Sequence, residues 1–249
     1  MGRDKKMNML GRGGALVLFF GYFLVVSAKA EGNDVTCGSL QNAYGPYDYR
    51  TDKDKLAIVE NAHFTPEVAS LVRGKSGYIG GDIDYTLRAF PNHHMALMSM
   101  IRLGQRSKTA RPHAAHYTVE CYLQRAVRFR ENDGTVRMIY GIYQIAQGKP
   151  NEALKLLEKA SELGGDNANL SYNLGLVYFD LRDYENSLMH AHKAYRQGFE
   201  LPGLRNKLER AGKWREAPPP KVENADTPAT PATAPAAAPV VEPAPAAAQ

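Results

Sequence analysis

Apolar side chains recur at three-and-four spacing through the second half of the chain. Ala153, Leu154, Leu156, Leu157, Ala160 and Leu163 fall on one helical face. A related pattern returns at a spacing of 34, where Gly175, Ser187 and Ala194 answer Gly141, Ala153 and Ala160. Two helical hairpins follow, one from Asp133–Gln147 and Asn151–Leu163, the other from Asn167–Leu181 and Tyr184–Gln197. Between the first pair, Gln147-Gly148-Lys149-Pro150 supplies a Gly where a helix ends and a Pro where the next begins. Gly141 and Gly175 are expected to let a neighbouring helix approach closely, as Ala160 and Ala194 do on the second helices. Larger side chains there would overpack the contact, at about 1–3 kcal/mol.

The rest of the chain is less regular. Asn92–Leu103 and His116–Phe129 predict an earlier hairpin, with Ala126 preceding Ala160 by the same repeat spacing and Ala96, Leu97 and Ile101 facing inward. Its connection, Gly104–Pro112, is longer than the later turns. Stacked hairpins need about three units to persist, so this disguised unit or another cap is required. Leu204–Trp214, basic on one side, predicts a terminal helix. Residues 31–90 leave the pattern: Tyr44-Gly45-Pro46-Tyr47-Asp48-Tyr49 is rich in turns and rings, and Thr65-Pro66-Glu67 marks a helix start. Short helices are expected at Pro66–Val72 and Asp82–Phe90.

Leu174-Gly175-Leu176-Val177-Tyr178, followed by Ser187, Ala191 and Ala194, resembles a tetratricopeptide repeat (TPR). Ser171 stands where that family often has Trp, and Gln144 where the second unit has Tyr178. The resemblance implies an all-α fold of TPR-type hairpins stacked in a short right-handed solenoid. Clear units would occupy 134–167 and 168–201, a degenerate unit 91–133 and a capping helix 202–215, within a domain spanning 91–216. It also implies a protein or peptide partner bound along the surface formed by the first helix of each hairpin. That surface would comprise Met138, Ile139, Ile142, Ile145, Asn169, Tyr172, Asn173, Leu176 and Phe179. Asn173 would suit a carboxylate clamp, but the two clear units lack its basic partners. The competing expectation is that residues 37–60 of the chain itself fill the groove.

The chain ends alter the charge picture. Arg3, Lys5, Lys6 and Arg12 precede an apolar run from Ala15 to Val26 and then Ser27-Ala28-Lys29-Ala30. That order predicts a signal peptide over residues 1–30 and a periplasmic or secreted protein. The run is far shorter than the roughly 20 residues that span a bilayer, so no stable span is expected after cleavage; a retained anchor is the alternative. Removing residues 1–30 takes five of the 31 Lys+Arg and one of the 26 Asp+Glu, leaving +1 in place of +5. Nucleic acid therefore drops out as an expected partner. Only Cys37 and Cys121 remain for redox chemistry, and in an oxidising compartment they read as one disulfide, with two buried thiols as the alternative. Such a link would contribute roughly 2–4 kcal/mol. From Ala217 to Gln249 most positions are Ala or Pro, which predicts a disordered spacer.

Other chemistry finds little support. Arg102, Arg106, Lys108, Arg111, Arg125, Arg128 and Arg130, opposed in their span only by Glu120, suggest either a surface that docks an acidic partner or anionic envelope polymer, or a solvated face. His93, His94, His113 and His116 raise a metal-binding or enzymatic alternative, with surface or structural histidines the plainer reading. Gly74-Lys75-Ser76 fails as a phosphate loop, because Ala69 occupies the leading Gly slot and a helix precedes it. No nucleophile elbow or His-Glu-x-x-His pair occurs, so no catalytic set, metal or cofactor is assigned. The expectation is a non-enzymatic adaptor of an envelope assembly.

Overall fold

The computed structural model describes residues 37–164 and 167–217. The predicted export signal and residues 218–249 of the predicted tail lie outside the described residues. Among the described residues the chain forms ten helices and no strand: α1 (Lys53–His63), α2 (Pro66–Ala69), α3 (Ile79–Ala89), α4 (His94–Arg106), α5 (Val119–Phe129), α6 (Gly134–Ala146), α7 (Pro150–Glu162), α8 (Ala168–Asp180), α9 (Tyr184–Arg196) and α10 (Gly203–Arg210). None is long and apolar enough to cross a membrane.

Each principal helix begins at a residue suited to that task. The side chains of Thr118, Asp133, Asn167 and Asp183 accept a hydrogen bond from the N–H three positions on, and His93 does the same for α4. Pro150 opens α7 at a position that needs no N–H. The chain then reverses after α6 at Gly148, with φ +69°; Lys108 and Arg182, at the same place after α4 and α8, take +48° and +62° despite their side chains. The caps of the later hairpins are evenly set, Lys149 following Asp133 at the same interval as Asp183 follows Asn167, whereas Thr118 stands much farther beyond His93. The first hairpin thus carries an enlarged connection between its helices.

Packing follows this order. α6 lies along α7 and α8 along α9, α7 meets α8, and α4 touches α5 and α6. α10 closes on α8 and α9, while α1 and α2 pack on α3, and α2 and α3 on α4. Ala126, Ala160 and Ala194 are all fully buried. At Gly141 an added Cβ would stand 2.6 Å from a Leu157 methyl; at Gly175 it would stand 3.3 Å from the Ser187 carbonyl oxygen. The Ser187 hydroxyl donates to the Gly175 carbonyl at 2.8 Å, tying α9 to α8 where a methyl serves in the preceding hairpin.

Several boundaries differ from expectation. α1 has no signature in the apolar pattern, because its buried positions Leu56 and Val59 are too few to mark a face. α3 starts at Ile79 rather than Asp82, drawing Gly80 and Gly81 into its first turn. α5 starts at Val119 rather than His116, since residues 107–118 form the extended connection. α2 stops at Ala69, before Leu71 turns to φ +61°. α10 ends at Arg210, and Trp214 folds back against Tyr195 and His192.

Gly141→Val should lower stability by about 2 kcal/mol, because Leu157 is fully buried and has nowhere to move. Combining it with Leu157→Ala should cost less than the two changes added, as read from urea unfolding midpoints. Conversely, the fully buried Ser171 hydroxyl has no hydrogen-bond partner among the described residues. Ser171→Ala is expected to raise stability by about 1 kcal/mol, and an unchanged or lower midpoint would contradict that.

Candidate partner surface and its polar neighbour

Counted from the N-caps, the predicted groove residues resolve into a stripe. Positions +2, +5, +9 and +12 are Thr135, Met138, Ile142 and Ile145 on α6, and Asn169, Tyr172, Leu176 and Phe179 on α8. The corresponding residues on α4 begin with Met95, Met98 and Arg102. Met95 and Met98 are absent from the predicted set, because the cap at His93 lies farther before Asp133 than the repeat spacing would place it. Their half-buried side chains lean on the N-terminal core.

Not every member of the predicted set is available. Ile139, at cap +6, is 3% exposed within that core. Tyr172 is buried, stacks on Phe199 with ring centres 4.2 Å apart, and accepts from the Leu204 N–H at 3.2 Å, so it anchors α10. Asn173 is buried and donates to the Asn169 carbonyl and side-chain oxygens at 2.9 and 2.7 Å. Met138 and Ile145 are half-buried against the α7–α8 cluster that contains Leu157, Leu170 and Leu174, and Leu176 and Phe179 against the cluster of α8, α9 and α10. Ile142, also half-buried, belongs to none of the four apolar clusters among the described residues.

Residues 37–60 are fastened elsewhere. Tyr44, Tyr47, Tyr49, Leu56 and Val59 join Tyr85, Ala89 and Phe90 in a cluster that contains none of the groove residues. The sulfurs of Cys37 and Cys121 lie 2.09 Å apart, at disulfide-bonding distance. Arg125, only 2% exposed, donates to the carbonyls of Cys37 and Ser39 at 2.9 and 2.6 Å with its guanidinium over the Tyr117 ring. Arg128 reaches the Gly38 carbonyl at hydrogen-bonding distance, and Arg130 donates to Asp48 at 2.7 Å. Arg102 and Arg106 cap α2 and its exit through the carbonyls of Ala69 and Leu71. Five of the seven residues in the basic stretch are therefore framework, and Lys108 and Arg111 lie outside it.

A buried polar hub adjoins the first helices of the repeats. Asn92, fully buried, donates to Asp48 at 2.7 Å and to Asp133 at 3.0 Å while accepting from the Tyr49 N–H at 2.9 Å. Arg50 bonds Asp48 and Asn132, and His94 bonds Asp133 at 3.0 Å. Burial alone would raise the Asp48 carboxyl, but Arg50, Asn92 and Arg130 together hold it well below the usual carboxylate range. Asp133 is likewise held down by His94 and Asn92 against the effect of burial. His93 is fully buried between the rings of Tyr49 and Phe64; its Nδ1 accepts from the Ala96 N–H, so Nε2–H donates to Glu60 at 3.0 Å. Burial pushes this imidazole below its ordinary value.

The four histidines considered for metal do not converge. His93 serves Glu60, His94 Asp133 and His116 Asp84, while His113 meets the Tyr78 ring. Among the described residues no group of three or more His, Cys, Asp or Glu side chains is disposed to hold a metal ion. The Lys75 and Ser76 N–H groups, the natural phosphate donors of the Gly74 turn, are taken by the Asp82 carboxylate at 2.7 and 3.1 Å. Compared with known proteins, the chain matches no protein-family model and no curated protein.

Acid should loosen this hub in two stages. The folded His93 has a lower pKa than its ordinary 6.5, so the unfolded chain binds more protons and stability falls as pH drops below about 6.5. Asp48 and Asp133, depressed below 3.8, contribute stability above that value and lose it as pH falls further. Urea midpoints measured from neutral to strongly acidic pH should show both declines. His93→Gln should flatten the first and spare the second; an unchanged upper decline would remove His93 from the account.

Proposed function

We propose that this chain is an exported adaptor of the tetratricopeptide-repeat type, which holds an apolar or amphipathic segment of a partner protein in an envelope assembly. In this reading α4–α5, α6–α7 and α8–α9 are three units of a short right-handed solenoid. α10 is its cap, and the Pro/Ala-rich tail is a spacer. The observation that carries the reading is the common register of half-buried Met95, Met98, Met138, Ile142, Ile145, Leu176 and Phe179 on the first helices of three successive hairpins. Half-buried side chains in one stripe retain apolar surface whose covering is favourable at roughly 25 cal/mol per Å².

Two further features support it. The attachment of residues 37–60 to the Phe90 cluster and α5 makes them poor candidates to fill the stripe. The Cys37–Cys121 pair suits an oxidising compartment and therefore agrees with export. A carboxylate clamp fits less well: Arg102, the one basic residue of the α4 stripe, is engaged by the Ala69 carbonyl and Ser99 hydroxyl.

Photo-crosslinking residues placed singly at Ile142 and Leu176, in cells that export the protein, should trap the same partner. A probe at Met189, 53% exposed on α9, should not trap it. Ile142→Glu should abolish the Leu176 adduct while leaving thermal stability within about 1 kcal/mol, as expected for a half-exposed site. Equal trapping from Met189, or an unaffected adduct in the Glu variant, would remove the stripe from the function.

A further inference from the structure

The enlarged α4–α5 connection has no counterpart in the α6–α7 and α8–α9 hairpins. It is nevertheless well fixed. The Val119 N–H donates to the Ala110 carbonyl at 2.8 Å, the Thr109 N–H to the Gly104 carbonyl at 3.0 Å, and the His116 N–H and Nδ1 both engage Asp84. On the α3 side, a Cβ at Gly80 would run into the His113 carbonyl, so only Gly lets the connection seat there. Ala114 holds a left-handed φ of +63° away from any helix end, a conformation unfavourable for a residue with a side chain.

This fixed connection lines an open depression of about 740 Å³ with Ser107, Thr109, Arg111, Pro112, His113 and His116. Its electrostatics are one-sided. No Asp or Glu occurs between Asp84 and Glu120, a stretch that holds five Lys and Arg. Arg88 is balanced by Asp84, but Arg102 and Arg106 bond neutral carbonyls and keep their charge. The Lys108 ammonium and Arg111 guanidinium have no hydrogen-bond or ion-pair partner among the described residues, and Arg111 lines the depression. Asp84, already accepting from Arg88 and Tyr122, also takes the His116 Nδ1–H, which leaves the other nitrogen of the neutral ring an acceptor and makes His116 part of the frame of the depression. Arg111 and the Ser107 and Thr109 hydroxyls thus line one depression, and the Asp84 carboxylate behind His116 is already engaged by Arg88, Tyr122 and His116, which suits a multiply accepting oxyanion.

We propose that the 107–116 connection is a phosphoryl-binding site, with Arg111 as its principal ligand and Ser107 and His113 as further donors. The shared chemistry is a phosphate group, either free or carried by a lipid. Unlike the apolar stripe, this site would act by charge, and it stands whether or not the adaptor reading holds. Calorimetric titration of the full chain with inorganic phosphate, and co-sedimentation with phosphatidylglycerol or phosphatidylcholine vesicles, separate the two sources. Arg111→Gln removes one exposed charge without touching the fold, and Arg196→Gln, exposed on α9, removes the same charge elsewhere.

Binding of inorganic phosphate that weakens about tenfold or more in Arg111→Gln and not in Arg196→Gln would establish a free-phosphate site. Retention on phosphatidylglycerol vesicles alone, with the same dependence, would establish a lipid-borne one. Binding to neither probe, an unaffected Arg111→Gln, or equal losses in both variants would overturn the proposal.

Discussion

Asp48 and Asp133 are both nearly excluded from water and are joined through one carboxamide, and two carboxylates so placed repel unless donors stand between them. Asn92 provides two N–H bonds from a single nitrogen, while Arg50, Arg130 and His94 supply positive or polar hydrogen from the flanks. This arrangement sets the relation between three parts of the chain: the segment around Tyr49, the beginning of α4, and the beginning of α6. Asp133 also caps α6, through the Val136 N–H at 3.1 Å. A helix start and the joint between these segments therefore depend on one side chain. Removing a partner from such a network costs more than the network contributes, because the remaining charge stays buried.

The same logic explains the basic stretch. Long guanidinium side chains on α5 extend to a segment that has little secondary structure and so exposes unpaired carbonyls. Arg125 and Arg128 satisfy those carbonyls around Cys37–Ser39, next to the sulfur bridge, and Arg130 reaches Asp48 a short way on. Covalent and polar attachment replace the apolar face that this irregular segment lacks. The result is a first hairpin clothed by its own N-terminal segment on one side, with its α4 stripe still continuous in register with α6 and α8.

How much of this can be read from the chain alone depends on the range of the interaction. Periodic apolar spacing and caps are local, so α6 to α9 are legible within a residue or two, as are Gly141, Gly175 and the buried alanines. Ala126 is legible because its distance from Ala160 equals the repeat spacing, although the enlarged connection shifts the helix before it. Asn92 is not, since its partners Asp48 and Asp133 lie far along the chain on either side and a Pro-Asn pair looks locally like a helix lead-in. The groove set is legible as a stripe but not in its depth: Ile139 and Tyr172 share the apolar character of Ile142 and Leu176, and only the neighbouring helices decide which are covered. Seven basic residues in sequence do not disclose that five face carbonyls or a carboxylate, because backbone acceptors carry no residue code.

That last point separates two kinds of basic residue that composition treats alike. A guanidinium paired with a carboxylate loses its field at a distance, whereas one bonded to carbonyls is satisfied as a donor yet still charged. Arg102 and Arg106 belong to the second kind, and Lys108 and Arg111 lack even neutral side-chain partners among the described residues. Arg102, Arg106, Lys108 and Arg111 of the stretch between Asp84 and Glu120 therefore keep their charges after folding, although the first two are structurally engaged. The imbalance lies within residues 85–119 and is separate from the charges that residues 1–30 add to the chain. An apolar stripe across three first helices and a charged depression on one connection would then select by different physics, one by area covered and largely insensitive to salt, the other by counterion and strongly dependent on it.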